Sequence, residues 1–176
     1  MVFYVDSGAG QSMCSYSEAF HTLQACAILV VGVAGSMPAH GIGTACFVAT
    51  QGDKEFIVKV HNCLLCHGED NYNLISVSQV LRTRKSAIVF SADQSKLEVG
   101  DGGESTIPFS LQENEGLYEW RVSPLYLGDD RIRTLSSLAI TLEADPRLWE
   151  RGEINQAYAN MKAPTKWVYG TANCCG

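Results

Sequence analysis

Residues 3–10 read Phe-Tyr-Val-Asp-Ser-Gly-Ala-Gly, a short apolar strand that runs directly into a turn of small residues. The only acid of this segment, Asp6, stands where the predicted strand ends, and Gly8 lets the backbone make a close approach. A carboxylate on such a turn can meet a symmetry-related copy of itself. Two carboxylates within hydrogen-bonding distance of each other share one proton, and such a pair can act as a general acid and a general base. Because Asp, Ser and Gly are also the commonest turn residues, a plain surface turn is the alternative interpretation.

The segments that follow predict a mainly β chain as far as residue 122. Short apolar runs separated by turn residues are typical of strands. Strands are predicted at 28–33, 43–49, 56–60, 87–90, 96–99, 106–111 and 117–122, with a hairpin tip at 33–38 and turns at 51–53 and 100–103. One helix is predicted over 73–81, with Asn73 as its N-cap and Leu74, Val77 and Leu81 on one face.

The pattern changes near residue 123. Ile132, Leu135, Leu138 and Leu142 follow helical spacing, and Asp145-Pro146 is typical of the start of another helix. We therefore predict two parts, a β domain over 1–122 and a partly helical extension of unknown role over 123–176.

Composition narrows the class of protein. Of 176 residues, 46% are hydrophobic and 18% charged, which favours a packed core over disorder. The net charge of -6 argues against direct nucleic-acid binding and against an anionic membrane surface. The longest nearly apolar run, 25–35, is too short to span a bilayer. Seven scattered cysteines and the lack of a secretory leader predict reduced thiols and a cytoplasmic protein.

Several motifs, in the same order and spacing, resemble one known family. Residues 3–10 resemble the active-site segment of copia-type retrotransposon proteases, which are retropepsin-like aspartic proteases. Gly41-Ile42-Gly43-Thr44 resembles the Gly-x-Gly strand that follows their flap, and residues 62–67 lie where that family has another strand. The most specific piece is 73–81, Asn-Leu-Ile-Ser-Val-Ser-Gln-Val-Leu, which resembles the family's Asn-Leu-Leu-Ser-Val-Ser-Gln-Leu helix. The resemblance spans about residues 3–122.

The resemblance implies a retropepsin-like fold, a closed β-barrel-like half of pepsin, with one active site per homodimer. Asp6 would be the catalytic acid and base. Ser7 would hold the paired loops together across the two-fold axis, and Gly8 would give the backbone its close approach. Substrate would contact Ala9 and a flap made by Ala34, Gly35 and Ser36.

The family also implies a substrate, a setting and a partner. The enzyme would cleave the retrotransposon's own polyprotein in the cytoplasm, within a virus-like particle, without a metal or organic cofactor. Only five residues precede Asp6, where related proteases carry a further strand, so we expect a weak dimer. The alternative is a catalytically inactive, retrotransposon-derived domain that serves as a binding or oligomerisation module.

A second motif, at residues 63–67, has the residue types of a haem-attachment or zinc site. Residues 63–67, Cys-Leu-Leu-Cys-His, match the attachment sequence of c-type haem, and Cys63, Cys66 and His67 could be three ligands of a zinc ion. Haem attachment needs an exported, helical protein, and no fourth zinc ligand is evident. The simpler interpretation is that these are strand and loop side chains.

Overall fold

A computed structural model describes residues 1–32, 35–67, 72–101 and 103–140. The strands are β1 (Val2–Asp6), β2 (Met13–Cys14), β3 (Phe20–Gly32), β4 (Gly35–Gln51), β5 (Lys54–Cys66), β6 (Leu74–Ser76), β7 (Ala87–Val89), β8 (Lys96–Gly100), β9 (Thr106–Ser110), β10 (Gln112–Asn114), β11 (Leu117–Arg121), β12 (Ser123–Pro124) and β13 (Ser136–Ile140). The helices are α1 (Val77–Arg82), α2 (Arg131–Thr134) and one 3₁₀ turn, Ser17–Ala19. The prediction of a mainly β chain is confirmed. No helix in these ranges has the length and apolar character that a membrane span needs.

Ten strands form one sheet and three form another. The large sheet runs β10-β11-β1-β6-β2-β5-β4-β12, with β3 paired to β4 and β13 paired to β5, and the small sheet is β7-β8-β9. Strand β1 lies inside the large sheet, antiparallel to β11 and parallel to β6. The pairings among the described residues form an open, branched path rather than the closed barrel expected from the resemblance. The retropepsin-like identity of the fold stays a prediction.

The main core lies where β1 meets the long strands. Phe3 of β1 is fully buried, and its ring centroid lies 4.8 Å from that of Phe47 and 6.3 Å from that of Trp120. A second cluster contains Met13, Ile28, Val30, Ala39, Leu64 and Cys66. The first strand of the chain is thus anchored in the main core by Phe3 and paired with a strand on each side before the chain reaches Asp6.

The longest hairpin, β3–β4, is longer than predicted. Its strands pair as far as Gly32 and Gly35, so residues 35–38, predicted as part of the tip, lie in strand β4. Leu29 pairs with Pro38 and Val31 with Ser36, and this ladder continues the strand through the proline. The strands touch closely at Gly43, where an added Cβ would lie 1.8 Å from the Thr22 carbonyl oxygen. The predicted turn at 51–53 is confirmed, and Gly52 has the positive φ of +58° that such a turn favours.

The predicted helix over 73–81 begins later than expected. Residues Leu74–Ser76 form β6, and Ser76, not Asn73, is the N-cap of α1, accepting a hydrogen bond from the Gln79 N–H. The Asn73 side chain instead donates to the Val2 carbonyl oxygen at 3.0 Å. Pairing of β6 with β1 outweighs the helical periodicity of this segment, so the prediction of Asn73 as a cap is wrong.

The partly helical extension is not confirmed: its described part contains one short helix, and the helical spacing predicted from Leu135 onward is replaced by a strand. Helix α2 ends at Thr134, and residues Ser136–Ile140 form β13, parallel to β5. Leu138 and Ile140 point to the core because they alternate along a strand, a period-2 pattern that also fits the helical spacing at single positions. Strand β12 pairs with β4, so residues 123–140 extend the same sheet. The boundary after residue 122 stays a prediction, and the helix predicted at Asp145-Pro146 lies outside the described residues.

The Cys-x-x-Cys-His segment is a strand end. Cys63 belongs to the main core, whereas Cys66 belongs to the second cluster, its Sγ 3.7 Å from the Met13 Sδ. Residues three apart on a strand point to opposite faces, so the two thiols do not form one ligand pair. This confirms the interpretation of Cys63 and Cys66 as strand side chains.

We predict that residues 123–140 are needed for stability. A chain that ends at Val122 loses the buried side chains Leu125, Leu138 and Ile140. Burial of each is worth about 1.5–3 kcal/mol, a large share of the roughly 5–15 kcal/mol that stabilises a typical domain. Urea unfolding should therefore show a large fall in midpoint, or no folded state, for the chain ending at 122 compared with one ending at 140. Equal midpoints would show that 1–122 is an independent unit.

We also predict that four thiols resist modification in the folded protein. Burial raises the pKa of Cys14 and Cys66 to about 12 and that of Cys46 to about 11, and burial raises the pKa of Cys63 as well. Since the thiolate is the reactive form, iodoacetamide at neutral pH should label these positions only after denaturation. The matched comparison is the same labelling with a chelator present. Burial predicts no change, whereas rapid labelling of Cys63 or Cys66 after chelation would reveal a metal ligand.

Candidate active site

Asp6 is the last residue of β1 and lies at a point where two strands end together. It pairs with Ser76, the last residue of the parallel strand β6. Asp6 itself is half-buried, whereas Ser7 and Gly8 after it are exposed. Carboxyl ends of parallel strands lie at one sheet edge, so the chain leaves both strands at the same place. The residues from 6 to 12, which we call the Asp6 loop, therefore turn directly over the start of α1.

The carboxylate of Asp6 is held by its own turn. Its Oδ1 accepts a hydrogen bond from the Gly8 N–H at 2.7 Å, and a Cβ added at Gly8 would lie 3.3 Å from the same oxygen. The same bond occurs between Asp101 and the Gly103 N–H at 2.8 Å, in an exposed turn. This bond alone is therefore an ordinary Asx turn. The Asp6 loop differs from that exposed turn in the hydrogen bonds on the side that faces the start of α1, which we call its underside.

The first serines of the 73–81 segment hold the underside of the loop. The Ser76 hydroxyl donates to the Ala9 carbonyl oxygen at 2.6 Å, and the Ser78 hydroxyl donates to the Gly10 carbonyl oxygen at 3.3 Å. The Ser76 N–H in turn donates to the Ser12 hydroxyl at 3.1 Å. Ala9, Ser12 and Ser76 are buried, so the two bonds of Ser76 are shielded from water, whereas the bond of Ser78 is half-buried.

Gln79 and Gln11 connect the far end of the loop to β5. Oε1 of Gln79 accepts from the Ser12 N–H at 3.0 Å, and its Nε2 donates to the His61 carbonyl oxygen at 2.6 Å. Gln11 Nε2 donates to the neighbouring Asn62 carbonyl oxygen at 2.7 Å. The loop is thereby bonded to α1 and to β5 at the same time.

The predicted site residues fall into two groups. Asp6, Ser7 and Gly8 lie together at the loop, with Ser7 and Gly8 accessible to a partner. Ala9 is only 2% exposed, with its carbonyl oxygen bonded to Ser76, and its contact with substrate stays a prediction.

The predicted flap residues lie at the end of the β3–β4 hairpin. Gly35 pairs with Gly32, Ser36 is exposed, and Ala34 lies outside the described residues. Met13 follows the Asp6 loop directly and packs with Ile28 and Val30 of β3. The hairpin and the residue that follows the loop therefore share one apolar cluster.

An open groove of about 350 Å³ lies on the outer side of this region and contains none of the predicted site residues. Its lining is Thr22, Leu23, Gln24, Ile42, Gly43, Thr44, His61 and Asn62. Burial, and then the charge of Lys59, lower the pKa of the His61 imidazole, whose Nδ1 lies 3.0 Å from the Thr44 hydroxyl. Within the described ranges, His, Cys, Asp and Glu side chains form no group of three or more that could hold a metal ion.

The residues that hold the loop are not among the site residues predicted from the sequence. They are Ser12, Ser76, Ser78 and Gln79, and the sequence pattern of the 73–81 segment predicted only an apolar helix face. One pattern in the sequence does point to them: Asn73, Ser76 and Gln79 recur every three residues in a segment whose only other polar residue is Ser78. A buried polar residue needs a hydrogen-bond partner, so this regular series predicts a polar contact with another part of the chain.

Comparison with known proteins gives one finding. Residues 3–87 match the family model described as Pol polyprotein, beta-barrel domain. No curated protein and no solved structure matches the chain. The matched region includes β1, the Asp6 loop, the long hairpin and α1, which together hold the candidate site. Residues 3–87, slightly less than half of the chain, are therefore similar to a domain of the Pol polyprotein.

Proposed function

We propose that the chain is an aspartic endopeptidase of the copia type, active as a homodimer, that cleaves the polyprotein of its own element. Asp6 is its catalytic acid and base, and water is its nucleophile. The Pol-derived match over residues 3–87 supports the polyprotein setting. The protease assignment rests on Asp6 and its surroundings.

One observation carries the proposal: the Asp6 loop is fixed from below and open above. Its underside is bonded to Ser76, Ser78 and Gln79, while Ser7 and Gly8 face solvent. An ordinary surface turn needs no such buried support, as the turn at Asp101 illustrates. Preorganised carboxylates are what general acid–base catalysis requires, because a loop that moves cannot hold a water and a carbonyl in line.

The chemistry follows from symmetry. One Asp6 per chain supplies half of a dyad, and a two-fold axis through the exposed face of the loop brings the second carboxylate alongside. Only one of the two then ionises. The ionised carboxylate takes a proton from water as the oxygen attacks the peptide carbon, and the protonated one donates to the carbonyl oxygen. Collapse of the tetrahedral intermediate passes a proton to the leaving amine and restores the shared proton.

The environment of β1 limits how the dimer forms. Strand β1 pairs with β11 over 2–4 and with β6 over 4–6, so much of its two edges is already occupied and closed to a partner chain. Contact across the axis falls to Ser7, Gly8 and the end of the hairpin, where Ala34, Gly35 and Ser36 would close over bound peptide. A small contact area favours a weak dimer.

Substitution of Asp6 tests the chemistry. We expect Asp6→Asn to lower cleavage of a peptide library by roughly 10²–10⁴-fold or to background, because the amide keeps the bond to the Gly8 N–H but cannot exchange the proton. Thermal unfolding should be unchanged. Asp53→Asn, at the exposed turn between β4 and β5, is the matched control and should retain activity. Full activity in Asp6→Asn would remove the assignment, and a folded wild-type chain without any activity would favour the binding or oligomerisation module.

Mixing wild-type and Asp6→Asn chains tests the half-site arrangement. In an equal mixture with random pairing, about one quarter of dimers carry two intact Asp6 residues, so activity per wild-type chain should fall to about half. A larger excess of the variant should lower it further, and dilution of wild-type protein should lower specific activity as the dimer dissociates. Activity per wild-type chain that is unaffected by the variant would point to a monomeric active site.

A further inference from the structure

Gln79 is the largest of the fully buried polar side chains of the candidate site. Its side chain is fully buried in α1, and both ends of its amide are bonded, one to the Ser12 N–H and one to the His61 carbonyl oxygen. A buried amide without hydrogen bonds lowers the stability of the fold by about 1–3 kcal/mol. The Gln79 side chain is therefore held in place by its two hydrogen-bond partners. Methionine or leucine would fill a similar volume without either bond.

The two partners of Gln79 belong to different parts of the fold. Ser12 ends the Asp6 loop. His61 lies in β5 between the part paired with β13, which ends at Val60, and the part paired with β2, which begins at Leu64. The chain bulges here, since β4 and β5 shift register between Gly43 and Ala45 and Asn62 has φ +53°. Among the described residues, no strand pairs with 61–63 on that side of β5.

The glutamine amides fill this gap in the ladder. Gln79 bonds to the His61 carbonyl oxygen, and Gln11, within the Asp6 loop, bonds to the Asn62 carbonyl oxygen. Of the two, Gln79 is the one that also holds the loop backbone. A change of its hydrogen bonds would therefore act on Asp6 through Ser12, six residues away along one loop.

We propose that Gln79 is a positioning residue, which fixes the Asp6 loop by bonding Ser12 to the bulge of β5. The proposal deepens the proposed peptidase function and rests on it for its kinetic consequence. Gln79 contacts neither Asp6 nor the exposed face of the loop, so its effect is on the placement of the carboxylate. Loss of its bonds should reduce kcat, which depends on that placement, more than KM.

Two variants of Gln79 separate positioning from simple packing. Gln79→Met removes both bonds and should lower kcat about tenfold or more at every pH while KM changes little. Gln79→Glu still accepts from the Ser12 N–H, but donates to the His61 carbonyl oxygen only when its carboxyl is protonated. We therefore expect the ratio of its kcat to that of wild type to rise as the pH falls. Gln94→Glu, at an exposed turn, is the matched control and should show a constant ratio.

Amide hydrogen exchange supplies a readout that needs no activity. In Gln79→Met, exchange should accelerate about tenfold or more at Ser12 and Gly8, while amides of the β4–β5 ladder, such as Val58, keep their wild-type rates. Unchanged exchange at Ser12, uniform acceleration over the whole chain, or unfolding of both variants at every pH would each overturn the proposal. If the wild-type chain cleaves nothing, the peptidase function fails, and the exchange pattern still decides whether Gln79 holds the loop.

Discussion

The structure depends on the parallel pairing of β1 with β6. This pairing brings Asp6 beside Ser76, and everything that distinguishes the candidate site follows from that register. A parallel pair ends at one sheet edge, so the Asp6 loop after β1 and helix α1 after β6 begin side by side. A shift by one residue would turn Phe3 out of the core and would move the Ser76 hydroxyl away from the Ala9 carbonyl oxygen. Packing of Phe3 and polar bonding of the loop therefore enforce the same register.

Burial of polar groups makes this arrangement rigid. The loop bends inward at Ala9 and Ser12, so its carbonyl and N–H groups leave water and must be bonded. Ser76 serves three purposes at once, as cap of α1, as donor to Ala9 and as strand partner of Asp6. Such shared bonds are hard to replace one at a time, because removal of one member leaves its partners buried and unpaired. The outer face carries no comparable network, and it is the face that the proposed dimer would use.

Most strands could be predicted from the sequence. The predictions failed in segments where the local residue pattern favours a helix but pairing with a distant strand decides the structure. Apolar runs between turn residues located most of the sheet, and a strand running into Asp6 is found where it was expected. Leu138 shows why other parts failed, because its spacing from Leu135 fits a helix but its burial comes from pairing with β5. Asn73 likewise has the character of a cap, yet bonds to β1. Gln79 could not be assigned, since its partners at Ser12 and His61 are distant in sequence and follow from the sheet order alone.

Rigidity of the loop also bears on the hairpin that would cover it. The hairpin is held at two places: Gly43 touches the Thr22 backbone near its base, and Ile28 and Val30 pack on Met13 nearer its end. Its register slips between Ala25 and Ile28, and such a bulge locally interrupts the ladder and lets a strand bend. Ile28 and Val30 lie beyond this point, so bending there would move them relative to Met13, and their shared apolar cluster opposes such a movement. The end of the hairpin is thus coupled through Met13 to the segment that follows the Asp6 loop, and a closing movement in the proposed peptidase would have to repack Met13, Ile28 and Val30.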